Sequence, residues 1–131
     1  YMKHMHLSGA MPGYVAVRAA YEGGEAWLNS VIKQVEGNVK TVKDILGNGA
    51  PKCVISELEG TYLQWVDIGA YVKPENLREV VQERCGLAVD YGHQFFTPEH
   101  GKSDCHIRLN LATSGENVRQ AAENLVRELN K

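Results

Sequence analysis

Residues 104–112 read Asp104-Cys105-His106-Ile107-Arg108-Leu109-Asn110-Leu111-Ala112, and their alternation decides the class of fold. Successive side chains of a strand point to opposite faces, so Cys105, Ile107, Leu109 and Leu111 share one side while His106, Arg108 and Asn110 share the other. A strand with one apolar and one polar face belongs to a sheet that is covered on one side. The residues that follow supply the cover. Thr113-Ser114-Gly115-Glu116 has the pattern of a capping box, and Val118, Ala122, Leu125 and Leu129 then recur at helical spacing, which predicts a helix with one apolar stripe.

Working outward, Leu87 to Tyr91 reads as a short strand, and a polar loop from Gly92 to Ser103 carries Phe95, Phe96 and Pro98. Before it, Pro74 at a first helical position, Glu75, the apolar Leu77, Val80, Val81 and Cys85, and Gly86 as a stop mark a short amphipathic helix. Residues 52–56 and 61–68 read as two strands joined by Glu57-Leu58-Glu59-Gly60. A long helix precedes them: Leu28, Val31, Ile32, Val35, Val39, Val42 and Leu46 recur at spacings of three and four and stop at Gly47-Asn48-Gly49. The same periodicity reaches back to Tyr14, which makes Gly23-Gly24 a weak point rather than an end. The order α-β-β-α-β-β-α predicts an α+β fold, a small sheet of about four strands packed by helices.

Composition bounds what such a domain does. The chain has 131 residues, 44% hydrophobic and 23% charged, with a formal net charge of −2, enough for one core that buries roughly two-thirds of the surface of the unfolded chain. No basic stripe is present, which argues against nucleic acid or a polybasic membrane surface as a partner. The apolar runs are far shorter than the roughly 18 to 20 residues of a spanning helix, and the first six residues do not read as a signal peptide, so the expected location is cytoplasmic. Three widely spaced cysteines, Cys53, Cys85 and Cys105, suit a reducing compartment and read as small buried hydrophobes. The chain starts at Tyr1 without an initiating Met, which reads as a piece of something larger.

Few side-chain groupings carry chemistry. His4 and His6, and the group His100, Cys105 and His106, lack a recognised metal-ligand spacing, so solvated or hydrogen-bonded histidines are expected and no metal. Cys105 and His106 point to opposite faces and cannot act together as thiolate and base. The glycine pairs lack the context of a phosphate-binding loop. Trp27, Trp65, Tyr62 and Tyr71 lie in periodic apolar patterns and are expected to pack. Arg108 stands apart: it is central in a strand whose other face is apolar, where an unpaired guanidinium is costly. Two roles are open to it, an internal ion pair with an acidic residue or a bidentate clamp on a ligand carboxylate.

Three segments carry a resemblance. Ala19-Ala20-Tyr21-Glu22-Gly23-Gly24-Glu25-Ala26-Trp27-Leu28, continuing to Glu36-Gly37-Asn38, resembles the helix leaving the large domain of the pyridoxal-phosphate-dependent class I/II aminotransferases of fold type I. It is most similar to the cystathionine β-lyase branch, the MalY/PatB type. Glu59-Gly60-Thr61-Tyr62-Leu63-Gln64-Trp65-Val66-Asp67 resembles that branch's "EGTYLxWLD" strand, and Ile107-Arg108-Leu109-Asn110-Leu111-Ala112 its "(F/I)RLNxA" strand. The segments stand in the family's order and span nearly the whole chain.

The resemblance implies the C-terminal small domain of such an enzyme, with residues 1–50 as N-terminal segment and long interdomain helix and 51–131 as the small α+β domain. It implies pyridoxal 5'-phosphate as cofactor, an amino-acid substrate whose α-carboxylate Arg108 binds, a missing large domain as partner, and a homodimer. The family's Schiff-base lysine lies in that large domain. Lys3 lacks its motif, so the piece alone is expected to be inactive, with no catalytic or cofactor-binding residue of its own. The family's glycine-rich stretch before the arginine strand is altered here, with Phe96 where glycine is usual. The parent would be an aminotransferase or a C–S lyase. The rival expectation is a stand-alone ferredoxin-like module that binds an amino acid through Arg108.

Overall fold

The structure, a computed structural model, describes residues 10–97 and 104–131. It comprises two compact units, Tyr1–Lys33 and Gln34–Lys131. Lys3, His4, His6, His100, Pro98 and residues 101–103 lie outside the described residues.

The first unit holds α1 (Met11–Gly23) and the beginning of α2 (Glu25–Gly49). Pro12 starts α1, where a missing N–H costs nothing. Gly24 between the helices keeps a helical conformation. Its N–H donates to Ala20 O at 2.8 Å and its carbonyl accepts from Leu28 N–H at 2.9 Å, so the hydrogen-bond ladder runs through the Gly-Gly pair as expected. A Cβ at Gly24 would strike the Ala20 carbonyl oxygen, which is why glycine stands there. No residue of α1 is buried. Trp27, expected to pack, is 71% exposed, and Leu28 and Ile32 are exposed as well. Periodicity groups these residues on one side of the helix, but the packing expected of Trp27 is not found.

The second unit is a two-layer α+β arrangement around a four-stranded antiparallel sheet. Its strands are β1 (Val54–Ile55), β2 (Leu63–Asp67), β3 (Asp90–Tyr91) and β4 (His106–Asn110), in the order β1-β2-β4-β3. The register sets Gln64 against Leu109 and Val66 against Ile107 on the buried face. Above that face lie Val42 and Leu46 of α2 and Val118, Ala122, Leu125 and Leu129 of α3 (Gly115–Leu129), all buried. A buried Leu or Val contributes roughly 1.5–3 kcal/mol relative to exposure, so this layer drives the folding of the unit. Buried Asn38 ties α2 to the end of β4: its Nδ2 donates to Leu111 O and Thr113 O, each at 2.9 Å.

Three local features differ from the sequence-based expectation. The strands are shorter; Thr61, with φ of 65°, is in the left-handed region that a β-branched residue rarely adopts, and its Oγ1 accepts the Leu63 N–H as β2 begins. The segment after Pro74 is helical but irregular, a 3-10 turn (Pro74–Asn76) leading into a π turn (Glu79–Arg84). There Arg84 reaches Glu79, five residues back, at 2.6 Å, a pairing the wider turn allows. Gly86, φ 70°, ends it as expected, with Leu87 N–H returning to Val81 O at 3.0 Å. Finally, the cap of α3 falls on Ser114, whose Oγ accepts from Asn117 N–H, while Thr113 Oγ1 accepts from Asn117 Nδ2.

Candidate functional site

The sheet face away from the helices carries Trp65 and Asp67 from β2, His106, Arg108 and Asn110 from β4, and Asp90 from β3. Register builds the site. Trp65 stands opposite Arg108 across one pairing and Asp90 opposite Arg108 across the other, so the three lie in one row across the sheet. The turn Gly92–Phe95 then brings Phe95 back over the row. The guanidinium carbon of Arg108 lies 4.6 Å from the Phe95 ring centre and 5.6 Å from that of Trp65, and the two rings meet edge to face at 5.3 Å. Such contacts attract a cation and fix the plane of its fork.

Asp90 holds one edge of that fork. Arg108 Nε and Nη2 both donate to Asp90 Oδ2, at 3.2 and 2.7 Å. The internal ion pair that the residues left open is therefore present, but it occupies a single oxygen and the Nε/Nη2 edge. Arg108 Nη1 has no acceptor among the described residues. The arginine side chain is 23% exposed and that of Asp90 51%, and an open cleft lined by Gln82, Ala88, Val89, Asp90, Arg108 and Asn110 lies beside them. A half-held, partly shielded guanidinium on a solvent-facing cleft is chemically suited to a carboxylate, because the planar fork offers two parallel N–H donors to its two oxygens.

Next along the strand, His106 Nδ1 is 2.7 Å from Asp104 Oδ1, and the Asp104 carboxylate also accepts the His106 backbone N–H. Asp104, with a side chain only 7% exposed, packs against Gly92, where any Cβ would collide with it. Glycine at 92 thus allows the turn to close on β4. Cys105 lies on the other face, buried, its Sγ 3.3 Å from Val72 O, as the alternation requires.

The other candidates resolve as follows. Cys85 and Cys105 are buried, whereas Cys53 is only half-buried, a correction to its expected place in the core. Burial pushes all three thiols up; Asp67 adds to the effect at Cys53, which reaches about 11, and at Cys105. Tyr62 is exposed, contrary to expectation, and Tyr71 is half-buried with its hydroxyl accepting the Lys52 N–H at 3.1 Å. Trp65 packs, and also walls the arginine. Asp90 and Phe95 were missed as site residues. The signal was the pairing of a two-residue edge strand with β4, which periodicity does not reveal.

No protein-family profile matches the chain. A Mycobacterium leprae protein bearing a cystathionine β-lyase name is 27% identical over 130 residues, 89% of this chain and 31% of its own length. The cystathionine β-lyase PatB of Bacillus subtilis is 24% identical over 80% of this chain and 27% of itself. Among solved structures, cystalysin from Treponema denticola, which contains pyridoxal 5'-phosphate, superposes with a TM-score of 0.82 at 27% identity, covering 95% of this chain and 31% of that one. The pyridoxal-phosphate-bound C–S lyase from Staphylococcus hominis, complexed with L-cycloserine, gives 0.83 at 27% identity, covering 98% and 31%. The chain thus spans about a third of the length of these relatives. No helix of the described residues is long and apolar enough to cross a membrane. Three ordered sequence motifs, the sheet they build and these superpositions agree: over nearly its whole length the chain is similar to part of the pyridoxal-phosphate-dependent fold-type I enzymes of the cystathionine β-lyase kind.

Proposed function

We propose that this chain works as the C-terminal small domain of a pyridoxal-phosphate-dependent enzyme acting on amino acids, an aminotransferase or C–S lyase, in which Arg108 binds the substrate α-carboxylate. In this reading residues 1–50 form the N-terminal segment and interdomain helix and 51–131 the small domain of a cytoplasmic homodimer. The observation that carries the proposal is the free end of the Arg108 fork, held in plane by Phe95, Trp65 and Asp90 and open to a cleft. Several relatives carry cystathionine β-lyase or C–S lyase names and a Clostridium difficile neighbour carries an aminotransferase name, so both reactions stay within the proposal.

The residues present fit the substrate half of such a site and not the cofactor half. No lysine stands in any strand of the sheet, so no residue of this chain is assigned to hold the cofactor. Bound pyridoxal phosphate supplies an electron sink for charge left at Cα. Arg108 contributes binding and orientation: two parallel hydrogen bonds fix the carboxylate and restrict rotation about the carboxylate–Cα bond. Holding the reacting bond in one direction is worth several kcal/mol of barrier in well-oriented systems, roughly 7–11 kcal/mol at most.

The test is a spectroscopic titration of the full-length gene product with amino acids. The product is expected to be yellow, and Arg108→Ala to weaken amino-acid binding by about 100-fold, as expected for a lost bidentate charge pair. The 131 residues alone are expected to show no turnover. A colourless product that still binds amino acids through Arg108 would overturn the enzyme reading in favour of a stand-alone binding module. Release of a thiol from a β-thio substrate identifies the lyase, and its absence with net amino transfer identifies the aminotransferase.

A further inference from the structure

We propose that Asp104 and His106 are positioning residues for Arg108 that act through Phe95: the pair pins the turn Gly92–Phe95 to β4, and the pinned turn lays Phe95 on the guanidinium; this rests on the reading of Arg108 as the α-carboxylate anchor. A four-residue 3-10 turn holds itself together poorly, because its hydrogen bonds are badly aligned. The place of this one is set from outside. Gly92 is buried against the Asp104 carboxylate, whose Cγ lies 2.8 Å from the point a Cβ would take, with His106 Cβ at 2.9 Å. The turn therefore rests directly on Asp104 and on β4.

Asp104 is held in its turn by His106. A carboxylate only accepts, so His106 Nδ1 carries the hydrogen that it gives to Asp104 Oδ1 at 2.7 Å, and the His106 backbone N–H gives a second bond to Oδ2 at 3.3 Å. Among the described residues both donors to Asp104 come from His106. The Asp104 side chain is only 7% exposed, and a buried carboxylate stripped of its side-chain donor turns out to water, which removes the floor under Gly92. Three residues further on, the Phe95 ring centre lies 4.6 Å from the Arg108 guanidinium carbon. Phe95 also meets Trp65 edge to face, and Trp65 meets the His106 ring in the same manner at 6.4 Å. One chain of contacts thus runs from His106 through Asp104, the turn and Phe95 to Arg108. It supplies preorganisation. An arginine that must be immobilised as its ligand binds loses about two- to twelvefold in affinity against one already held, and a loss of about fivefold is expected here.

The experiment is calorimetric titration of the full-length gene product with propionate in wild type, His106→Leu, His106→Asn, Phe95→Ala, the double variant of His106→Leu with Phe95→Ala, and Arg108→Ala. Leucine removes the donor; asparagine keeps one, because its Nδ2 stands as many bonds from the backbone as Nδ1 of histidine. His106→Leu and Phe95→Ala are each expected to weaken propionate about fivefold, and His106→Asn to stay within about twofold of wild type. In the double variant the loss is expected to stay at about fivefold, since His106 acts through a ring that is no longer there. A loss of about 25-fold in the double variant, unchanged affinity in His106→Leu, or a His106→Asn variant as weak as His106→Leu overturns the proposal. Asp104→Asn combined with His106→Leu leaves no buried charge behind and is expected to show the same loss of about fivefold, so it takes the place of His106→Leu where that variant does not fold. Loss of propionate binding in Arg108→Ala together with any of the three overturning outcomes refutes only the role of the pair. Undiminished propionate binding in Arg108→Ala would refute the anchor itself.

Discussion

Replacing Asn38 by alanine removes the polar clip between α2 and the end of β4, and its cost follows from the geometry. The Asn38 side chain is 2% exposed, donates twice through Nδ2 at 2.9 Å and accepts from Gln34 Nε2 at 3.2 Å. Each lost bond is worth about 1 kcal/mol net, and leaving a buried carbonyl without its partner adds about 1–2 kcal/mol. Leu111 is fully buried, so its carbonyl meets that penalty, whereas the half-exposed Thr113 can turn to water. Counting the two donated bonds and the Leu111 carbonyl, and leaving out the longer contact from exposed Gln34, the sum is about 3 kcal/mol, a large part of the roughly 5–15 kcal/mol that holds a domain folded. Asn38→Asp should cost more, about 4 kcal/mol or above, because it loses both donors and turns a charge towards two carbonyl oxygens. Urea unfolding followed by Trp65 fluorescence in a Trp27→Phe background reads the second unit alone. With a slope of about 1.5 kcal/mol per molar, Asn38→Ala should lower the midpoint by about 2 M. A change below about 0.5 kcal/mol, or an Asp variant no worse than the Ala one, would refute the reasoning.

Arg108→Lys should recover little of the carboxylate affinity lost in Arg108→Ala, since a point charge cannot give the two parallel bonds; recovery to wild-type affinity by titration would count against bidentate binding. The three cysteines titrate in one direction. Each thiol is held above its ordinary value of 9.0, Cys53 at about 11, so the stability they contribute is complete below about pH 9 and is lost as pH rises through about 11. Urea midpoints should fall across that window, and Cys53→Ala should flatten part of the fall; a midpoint constant from pH 9 to 11 contradicts it. Gly92→Ala should destabilise by about 1–3 kcal/mol, because the new methyl meets the Asp104 carboxylate and, at 2.9 Å, His106 Cβ, and Asp104 is held in place by His106. Thermal unfolding measures it, and an unchanged midpoint would mean that the turn shifts freely.

Much of the fold was legible because it is written in local periods. The alternation from Cys105 to Leu111 told the two faces of β4 apart, and the spacing of Val118, Ala122, Leu125 and Leu129 named the buried side of α3 residue by residue. Gly86 marked a helix end through its left-handed backbone conformation, a local property, and α2 ends at Gly49, within the glycine-containing stretch that marked its stop. The same reasoning misplaced Trp27. Its stripe continues into Val35, Val42 and Leu46, but periodicity says only that one side of a helix is apolar and not which part of it is covered.

At the candidate site the division is sharper. The sequence by itself determined that Arg108 stands on a polar face above an apolar one, and three motifs carried its resemblance to a family. Which acid pairs with it was decided by tertiary structure. Asp90 lies 18 residues away, joined to β4 through a two-residue edge strand, and Phe95 reaches the guanidinium only because the following turn folds back. Strand register is set by packing between segments distant in the chain, and no local period encodes it. That register leaves one edge of the arginine held and the other free.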